Sequence, residues 1–330
     1  MQRLPFGHNR GMIPYSEIES ASRRINGYAR RTPVLASRQT DDLVGAHVYF
    51  KAEPFQQTGS FKFRGAFNAL AKRAESGNTA GVLTFSSGNH AQALACAGKL
   101  LRIPVTVVMP HDAPAIKRAA TEGYGAEVIL FDRNELTRET LGKEISEARG
   151  LDVIHPYDHP DIIAGQGTMA REFLGEVPDL DVLVVCLGGG GLLSGSALAM
   201  STLRPKAKVI GAEPANADDA YRSFKSGELQ TVHNPDTIAD GARTPSLGKL
   251  TWPIVRDHVS DIVTVSEEEI IEATRWIWER LKVAVEPTGA LAFAAVRSGR
   301  MDVKGKKVGV VMTGGNVDVA SLAVLFANSS

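Results

Sequence analysis

Lys62 is the residue whose type and position could supply a nucleophile. Ser60, just before it, is predicted to cap a helix that Gly77 ends, which places Lys62 in the first helical turn. The positive end of the helix dipole disfavours a charged ammonium there, and a neutral lysine can form an imine with a carbonyl. On this local pattern alone, a solvated surface lysine is the more ordinary interpretation.

A run of four glycines follows the most apolar stretch of the sequence, residues 182–187, and precedes a predicted helix. These glycines are Gly188, Gly189, Gly190 and Gly191. Backbone amides without side chains can surround an anion at a helix N-terminus, so we expect a phosphate there. Leu193 and Ser194 break the GxGxxG pattern, and no GK[ST] follows. Dinucleotides and nucleoside triphosphates are therefore disfavoured as the ligand.

Two further polar motifs lie where predicted strands end. The first is Ser86-Ser87-Gly88-Asn89-His90, and the second is Thr313-Gly314-Gly315-Asn316. Ligands of parallel sheets bind outside the carboxyl ends of the strands. The first motif, together with the backbone amides at the start of the following helix, suits a carboxylate ligand. The purely structural alternative is that its serines only cap that helix. In the second, Thr313 could offer a neutral hydroxyl to a ring nitrogen, or be an ordinary turn residue.

The order of the elements predicts an α/β protein. Short Val-, Ile- and Leu-rich runs alternate with helical patterns, which indicates parallel strands covered on both faces. We predict a small α/β domain over residues 80–156 inside a larger domain formed by residues 1–79 and 157–330. Residues 214–258 contain scattered Pro, Gly and Asn, so loops are expected there.

The composition excludes several classes of function. Lys plus Arg and Asp plus Glu number 37 each, so no basic field attracts nucleic acid or anionic lipid. Cys96 and Cys186 lie in apolar runs and are expected to be buried thiols in a reducing compartment. The N-terminal segment has no signal-peptide pattern, and the sequence has no apolar run long enough to span a membrane. A cytoplasmic protein is expected.

Taken together, the motifs resemble fold-type-II pyridoxal-phosphate enzymes, the class typified by the tryptophan synthase β subunit. Within that class the sequence resembles the branch of serine/threonine dehydratases, serine racemase and L-threo-3-hydroxyaspartate ammonia-lyases. The Lys62 motif, the Ser86 motif, the glycine run, Glu286-Pro287-Thr288 and the Thr313 motif occur in the family's order. The resemblance extends over roughly residues 15–325. It implies two domains with parallel or mixed sheets flanked by helices.

The resemblance also implies a role for each motif. Lys62 would carry pyridoxal 5'-phosphate as an imine and move protons on one face, and Ser87 would serve as acid-base on the opposite face. The remaining cofactor contacts would come from Phe61, Asn89, Gly188, Gly189, Gly190, Gly191, Leu192, Glu286 and Thr313. The substrate carboxylate would meet Ser86, Asn89 and His90. Arg138 and Thr244 lie where relatives contact the distal end of the substrate, although Arg138 could equally be a solvated helix residue.

A divalent-cation site is implied in the segment from Glu213 to Asp219. Two carboxylates and a carbonyl suit Mg²⁺, Mn²⁺ or Ca²⁺. By composition alone, a strand end followed by an acidic helix start is the favoured interpretation. The serine racemase branch places its cation on residues that match Glu213, the Ala217 carbonyl and Asp219.

The function expected is dehydration and deamination of a small β-hydroxy amino acid to a 2-oxo acid and ammonia. Serine, threonine and L-threo-3-hydroxyaspartate are the candidate substrates, and a primary serine or aspartate racemase is the alternative. A nicotinamide-dependent oxidoreductase is a remote alternative, because this sequence lacks the GxGxxG fingerprint of dinucleotide-binding proteins. The intact Lys62 argues against a catalytically inactive amino-acid-binding protein. The only partners expected are a small amino acid and a second copy in a homodimer.

Overall fold

The Val-, Ile- and Leu-rich runs form strands, because β-branched and apolar side chains pack well on a buried pleated surface. The computed structural model describes residues 13–86, 88–111, 113, 115–132 and 137–327, without the side chains of Ile116, Arg138 and Glu139. Its strands are β1 (Val34–Ala36), β2 (His47–Ala52), β3 (Val82–Phe85), β4 (Val105–Pro110), β5 (Glu127–Phe131), β6 (Asp152–Val153), β7 (Val182–Cys186), β8 (Lys208–Pro214), β9 (Asp261–Val265) and β10 (Lys307–Met312).

Helices connect nearly all of these strands. They are α1 (Tyr15–Arg24), α2 (Arg38–Val44), α3 (Lys62–Glu75), α4 (Asn89–Leu101), α5 (Ala115–Gly123), α6 (Arg138–Arg149), α7 (Pro160–Glu176), α8 (Gly191–Leu203), α9 (Asp219–Ser226), α10 (Thr251–His258), α11 (Glu267–Trp276), α12 (Pro287–Arg297) and α13 (Val319–Ala327). A π-helical turn, Ile277–Leu281, continues α11. None of the helices in the described part of the chain is long and apolar enough to cross a membrane.

The strands form two sheets. The larger has the order β1-β2-β10-β7-β8-β9, in which only the edge strand β1 is antiparallel to its neighbour. The smaller has the order β5-β4-β3-β6 and is parallel throughout. The predicted α/β class is therefore confirmed. The division of the chain into domains at residues 79–80 and 156–157 remains a prediction.

Strand β7 shows why the central run of the sequence is apolar without alternation. Val182 and Val184 face one hydrophobic cluster, together with side chains of α12. Leu183 and Val185 face a second cluster, together with side chains of α7 and α8. Both faces of the strand are therefore covered, which removes the need for a polar face.

The expectation of loops between residues 214 and 258 is confirmed for most of residues 227–250, but it is wrong near both ends, where two helices form. Helix α9 buries Ala220 and Ser223, and helix α10 buries Ile254 and Val255. The amides at the start of α10 are bonded by the carboxylate of Asp158, which lies 92 positions before Leu250. Because this partner is so distant in the sequence, the residues around Leu250 do not by themselves predict that a helix begins there.

Parallel order brings three sequence motifs to one edge of the large sheet. Strands β2, β10 and β7 are neighbours, and their carboxyl ends lead to the Lys62 helix, to Thr313 and to the glycine run. The carboxyl end of β3 in the small sheet leads to Ser86 and Asn89. The site lies where the two edges meet.

Candidate active site

Lys62 is the first residue of α3, and its amine is buried. Burial lowers the pKa of Lys62 to about 8, while electrostatic interactions with Cys186 and Glu286 oppose the shift. Nζ donates a hydrogen bond of 3.1 Å to the Pro156 carbonyl, and it lies 5.1 Å from the centre of the Phe61 ring. The amine is therefore buried with a lowered pKa, which favours the neutral form that a nucleophile requires, and its catalytic role remains a prediction. Burial is the largest cause of its low pKa, ahead of any effect of the helix dipole.

The prediction that Ser60 caps α3 is wrong. The residue before α3 is Phe61, and the Ser60 hydroxyl has no hydrogen-bond partner among the described residues, so it caps no amide of the helix. Ser60 instead forms an antiparallel bridge with Gly314. The Phe61 amide donates to the Thr313 carbonyl at 3.1 Å. This pairing between distant segments holds the turn that carries Lys62 against the end of β10.

Among the buried polar groups on this edge that lack a hydrogen-bond partner in the described residues, two belong to residues predicted to bind the cofactor. They are the hydroxyl of Thr313 and the Oε2 atom of Glu286, which are 1% and 2% exposed as residues. Burial raises the pKa of Glu286 to about 8, and the nearby charge of Asp240 adds to the shift. Buried polar atoms are rarely left unbonded, so these two indicate the position of a ligand.

Asn89 joins the small sheet to Glu286. Its Nδ2 donates to Glu286 Oε1 at 2.6 Å, and its Oδ1 accepts from Asn316 Nδ2 at 2.9 Å. Asn316 also donates to the Thr58 carbonyl at 2.7 Å. Asn316 thus sets the orientation of the Asn89 amide, a role that the sequence analysis missed although Asn316 stood in a quoted motif.

The glycine run lies between β7 and α8, as predicted. No described residue accepts a hydrogen bond from the amides of Gly188, Gly189, Gly190 or Gly191. Gly190 has a φ of 90°, a left-handed conformation that favours glycine, and a methyl group on Gly189 would overlap the Tyr157 ring. The amides form an open cup at a helix N-terminus, which suits phosphate.

Leu192 belongs to this cup only through its backbone. Its side chain is buried in the hydrophobic cluster that includes Leu187 and Leu193. Tyr157 and Pro156, which flank the cup and Lys62, were not predicted to be part of the site. The only signal in the sequence was the resemblance of the segment Pro156 to Pro160 to hydroxyaspartate ammonia-lyases, which assigned no role to either residue.

The predicted substrate residues lie at different points around the cleft. His90 is buried in α4, and burial holds its pKa well below the usual range, with the positive charge of Lys62 adding to the shift. Ser86 follows β3, and its hydroxyl accepts from the Gly88 amide at 3.3 Å. The hydroxyl of Thr244 is buried near Gly188 and has no partner among the described residues. Ser87 and the side chain of Arg138 lie outside the described residues.

The predicted cation ligands lie at the end of β8 and the start of α9. Glu213 accepts from the amides of Ala220 and Tyr221 at 3.1 and 2.8 Å, and burial and the charge of Asp219 hold its pKa well above the usual range. Burial raises the pKa of Asp219 to about 7, and its Oδ2 has no partner among the described residues. The Ala217 residue is buried beside them.

Within the described ranges, no three His, Cys, Asp or Glu residues cluster as metal ligands. The set Glu213, Ala217 carbonyl and Asp219 contains only two carboxylates. The buried and unbonded oxygen of Asp219 nevertheless fits a hard cation, which prefers oxygen ligands.

The fold and the site together define a class of protein. A buried amine, a cup of amides at a helix N-terminus and a hydroxyl without a partner among the described residues lie at the carboxyl ends of neighbouring parallel strands. These groups fit a cofactor that combines a carbonyl, a phosphate and a ring nitrogen, which describes pyridoxal phosphate. They define an enzyme that uses this cofactor.

Comparison with known proteins shows the family. Residues 25–314 match the family described as pyridoxal-phosphate dependent enzyme, so the chain belongs to that family. It is 50% identical to the L-threo-3-hydroxyaspartate ammonia-lyase of Saccharomyces cerevisiae, over 95% of this chain and 96% of that protein. It is 51% identical to the serine racemase of Schizosaccharomyces pombe, over 94% of this chain and 96% of that protein.

Comparison with solved structures gives relatives from the same branch. The structure of maize serine racemase superposes with a TM-score of 0.90 at 41% identity, covering 96% of this chain and 97% of that one. The expected resemblance to fold-type-II enzymes of the dehydratase and racemase branch is confirmed.

Proposed function

We propose that this chain eliminates water from a small β-hydroxy amino acid and releases a 2-oxo acid and ammonia. The observation that carries the proposal is the Lys62 amine, buried beside the amide cup with a pKa of about 8. Two relatives with about half of their residues identical support it, one named for hydroxyaspartate ammonia-lyase activity and one for serine racemase activity.

Each of the residues near Lys62 would contact a particular part of the cofactor. The amides of Gly188, Gly189, Gly190, Gly191 and Leu192 would hold its phosphate. Thr313 would meet the ring nitrogen, Asn89 the phenolic oxygen and Phe61 the ring face, with Glu286 nearby. When bound, pyridoxal phosphate withdraws electrons from the substrate and makes its Cα–H bond acidic.

Lys62 moves the proton at Cα in this proposal. A neutral amine is the form that accepts a proton, and burial makes that form accessible close to neutral pH. The Pro156 carbonyl holds the amine at one edge of the cleft by a 3.1 Å hydrogen bond. Loss of the β-hydroxyl as water then leaves an enamine, and its hydrolysis releases the 2-oxo acid and ammonia.

The substrate carboxylate is assigned to Ser86, Asn89 and His90. These residues surround the start of α4, whose N-terminal end favours an anion. His90 is held neutral by burial, so it contributes a hydrogen bond and no charge. Arg138 and Thr244 are proposed for the distal end of the substrate, where an arginine would suit the second carboxylate of 3-hydroxyaspartate.

A divalent cation is proposed as a second ligand of the protein. Glu213, the Ala217 carbonyl and Asp219 would supply oxygen atoms to Mg²⁺, Mn²⁺ or Ca²⁺. The unbonded Oδ2 of Asp219 and its raised pKa support this assignment, because the nearby charge of Arg222 does not offset the burial of the carboxylate. A homodimer in the cytoplasm completes the proposal.

A panel of substrates tests the reaction. Release of 2-oxo acid and ammonia should be equimolar with at least one of L-serine, L-threonine and L-threo-3-hydroxyaspartate, and Lys62→Ala should abolish it. Formation of D-serine or D-aspartate without oxo acid would favour the racemase instead, a function supported by the identity to the Schizosaccharomyces pombe enzyme. Holoenzyme that transforms none of these amino acids would contradict both proposals.

A further inference from the structure

The glycine cup is backed by a second layer of residues that no part of the proposed reaction uses. Thr251, the first residue of α10, is fully buried, and its hydroxyl donates to the Gly189 carbonyl at 2.8 Å. The same hydroxyl accepts from the Gly248 amide at 2.7 Å. Thr251 therefore bonds the back of the loop whose amides form the cup.

This bond determines where one amide of the cup points. In a trans peptide the C=O and the N–H point in opposite directions. The carbonyl of Gly189 is turned toward Thr251, so the N–H of Gly190 is turned away from α10 and toward the open side of the loop. The left-handed φ of Gly190, 90°, continues the turn, and Gly190 then accepts from Ser194 in the first turn of α8 at 2.8 Å.

Thr251 is in turn held by Asp158. The Asp158 carboxylate accepts from the amides of Lys249 and Leu250 at 3.0 and 2.7 Å, and from the Thr251 amide at 3.4 Å. A negative charge at a helix N-terminus is stabilising, so Asp158 secures the start of α10. The interaction is not a surface ion pair, because its donors are backbone amides.

The residues next to Asp158 contact the other side of the cup and the reactive amine. The Tyr157 ring lies against Gly189, where an added methyl group would overlap it, and the Pro156 carbonyl accepts from Lys62. One short segment thus touches the amine, the front of the loop and, through Asp158 and Thr251, its back. A single stretch of chain, residues 156–158, therefore links the lysine to the cup.

We propose that Thr251 is a positioning residue for the cofactor phosphate, acting by orienting the Gly190 amide, with Asp158 holding Thr251 in place. The inference rests on the assignment of the glycine run as the phosphate cup. Thr251 does not contact the cofactor itself. Its effect should therefore appear in the binding of the phosphate group and should be absent for a ligand that lacks phosphate.

The test compares two ligands on stripped full-length protein. Holoenzyme is freed of cofactor, and the affinities for pyridoxal phosphate and for pyridoxal are measured by absorbance. Thr251→Val keeps the shape of the side chain and removes the hydroxyl, whereas Thr251→Ser keeps the hydroxyl. Thr251→Val should weaken pyridoxal phosphate binding about tenfold, the loss of one charge-assisted hydrogen bond, and leave pyridoxal binding unchanged. Thr251→Ser should restore the affinity.

A second readout uses the holoenzyme. The ³¹P resonance of bound cofactor should move in Thr251→Val and return in Thr251→Ser. Equal loss of affinity for both ligands, or no loss for either, would overturn the role of Thr251. If wild-type protein binds pyridoxal as tightly as pyridoxal phosphate, the glycine run is not the phosphate cup, and the cofactor assignment itself fails.

Asp158→Asn provides the test if Thr251→Val does not fold. The amide keeps the shape and one acceptor oxygen but loses the charge at the start of α10. It should show the same selective weakening for pyridoxal phosphate, smaller in size. An Asp158→Asn protein that weakens both ligands equally would show that the segment supports the fold alone and would overturn the proposal.

Discussion

At the scale of single residues, the chemistry of the site depends on whether one amine is neutral. The pKa of Lys62 is lowered to about 8, whereas a solvated lysine has a pKa near 10.5. Only the unprotonated amine reacts with a carbonyl, and its fraction rises as pH rises through the pKa. Capture of the cofactor by stripped protein should therefore accelerate with pH and level off above about pH 8.

The rate of capture can be followed by the absorbance of bound cofactor. Borohydride should then fix the cofactor to the peptide that contains Lys62, and Lys62→Met should show neither capture nor labelling. A rate that keeps rising to pH 10, or a label on another peptide, would show that Lys62 is not the buried reactive amine.

The stereochemical outcome of the reaction is predicted to depend on Ser87. The cofactor is planar, so Lys62 reaches one face of Cα and a second group must act on the opposite face. If Ser87 is that group, Ser87→Ala should abolish racemisation and turnover of D-substrates, and much of the elimination from L-substrates should remain. Chiral analysis of the amino acid together with oxo-acid release measures both activities.

The alternative for Ser87 has a different signature. A residue that only caps α4 would lower both activities together, with a loss of about 1 kcal/mol in the free energy of unfolding. A wild-type enzyme without any racemisation or D-substrate turnover would favour a dedicated dehydratase.

At the scale of elements, the junction of β8 and α9 carries the cation proposal. A ligand that binds only the folded state raises its stability. Chelator should therefore lower the melting temperature and the activity, and Mg²⁺, Mn²⁺ or Ca²⁺ should restore both. Asp219→Ala should remove this response, because it deletes the carboxylate whose Oδ2 lacks a partner among the described residues.

Asp218→Ala is the matched control for the cation. Asp218 is the neighbouring carboxylate, but it forms an ion pair with Arg222 at the surface, at 2.8 Å. Its removal should keep the response to chelator, with a weaker affinity for the cation because the charge of Asp218 also acts on Glu213 and Asp219. Melting curves of wild type that do not change with chelator would show that Glu213 and Asp219 bind no cation.

At the scale of the whole molecule, a buried ion cluster ties the Lys62 helix to the rest of the large sheet. Arg64 makes paired hydrogen bonds to Glu53 at 2.9 and 2.7 Å and to Glu172 at 3.0 Å each. Lys51 lies 2.8 Å from Glu172. The cluster joins the end of β2, the first turn of α3 and α7, so it holds the reactive lysine relative to the sheet.

Removing one member of this cluster should be costly for stability. Arg64→Met leaves the buried Glu53 carboxylate without its cation, and we expect the free energy of unfolding to fall by about 3–5 kcal/mol. Urea denaturation of the holoenzyme measures the change. Arg118→Met is the control, because Arg118 pairs with Glu122 on an exposed helix face and should change stability by less than about 1 kcal/mol. Equal effects would contradict the structural role of the cluster.

The sequence by itself determined the elements that depend on residues close to one another in the chain. The continuous apolar run of β7 and the glycines after it are adjacent in the chain, so a buried strand leading into an anion cup follows from their order. The alternation of strands and helices likewise predicts parallel sheets. Parallel sheets in turn place Lys62, Thr313 and the cup at the same edge, which is where the structure has them.

Tertiary structure decided the features that depend on distant partners. Ser60 has the local pattern of a helix cap, but pairing with Gly314 places it in a bridge instead. Helix α10 begins where the Asp158 carboxylate meets its amides, and the Asn89 amide is oriented by Asn316. The low pKa of Lys62 has the same origin, because burial is produced by packed neighbours from many parts of the chain.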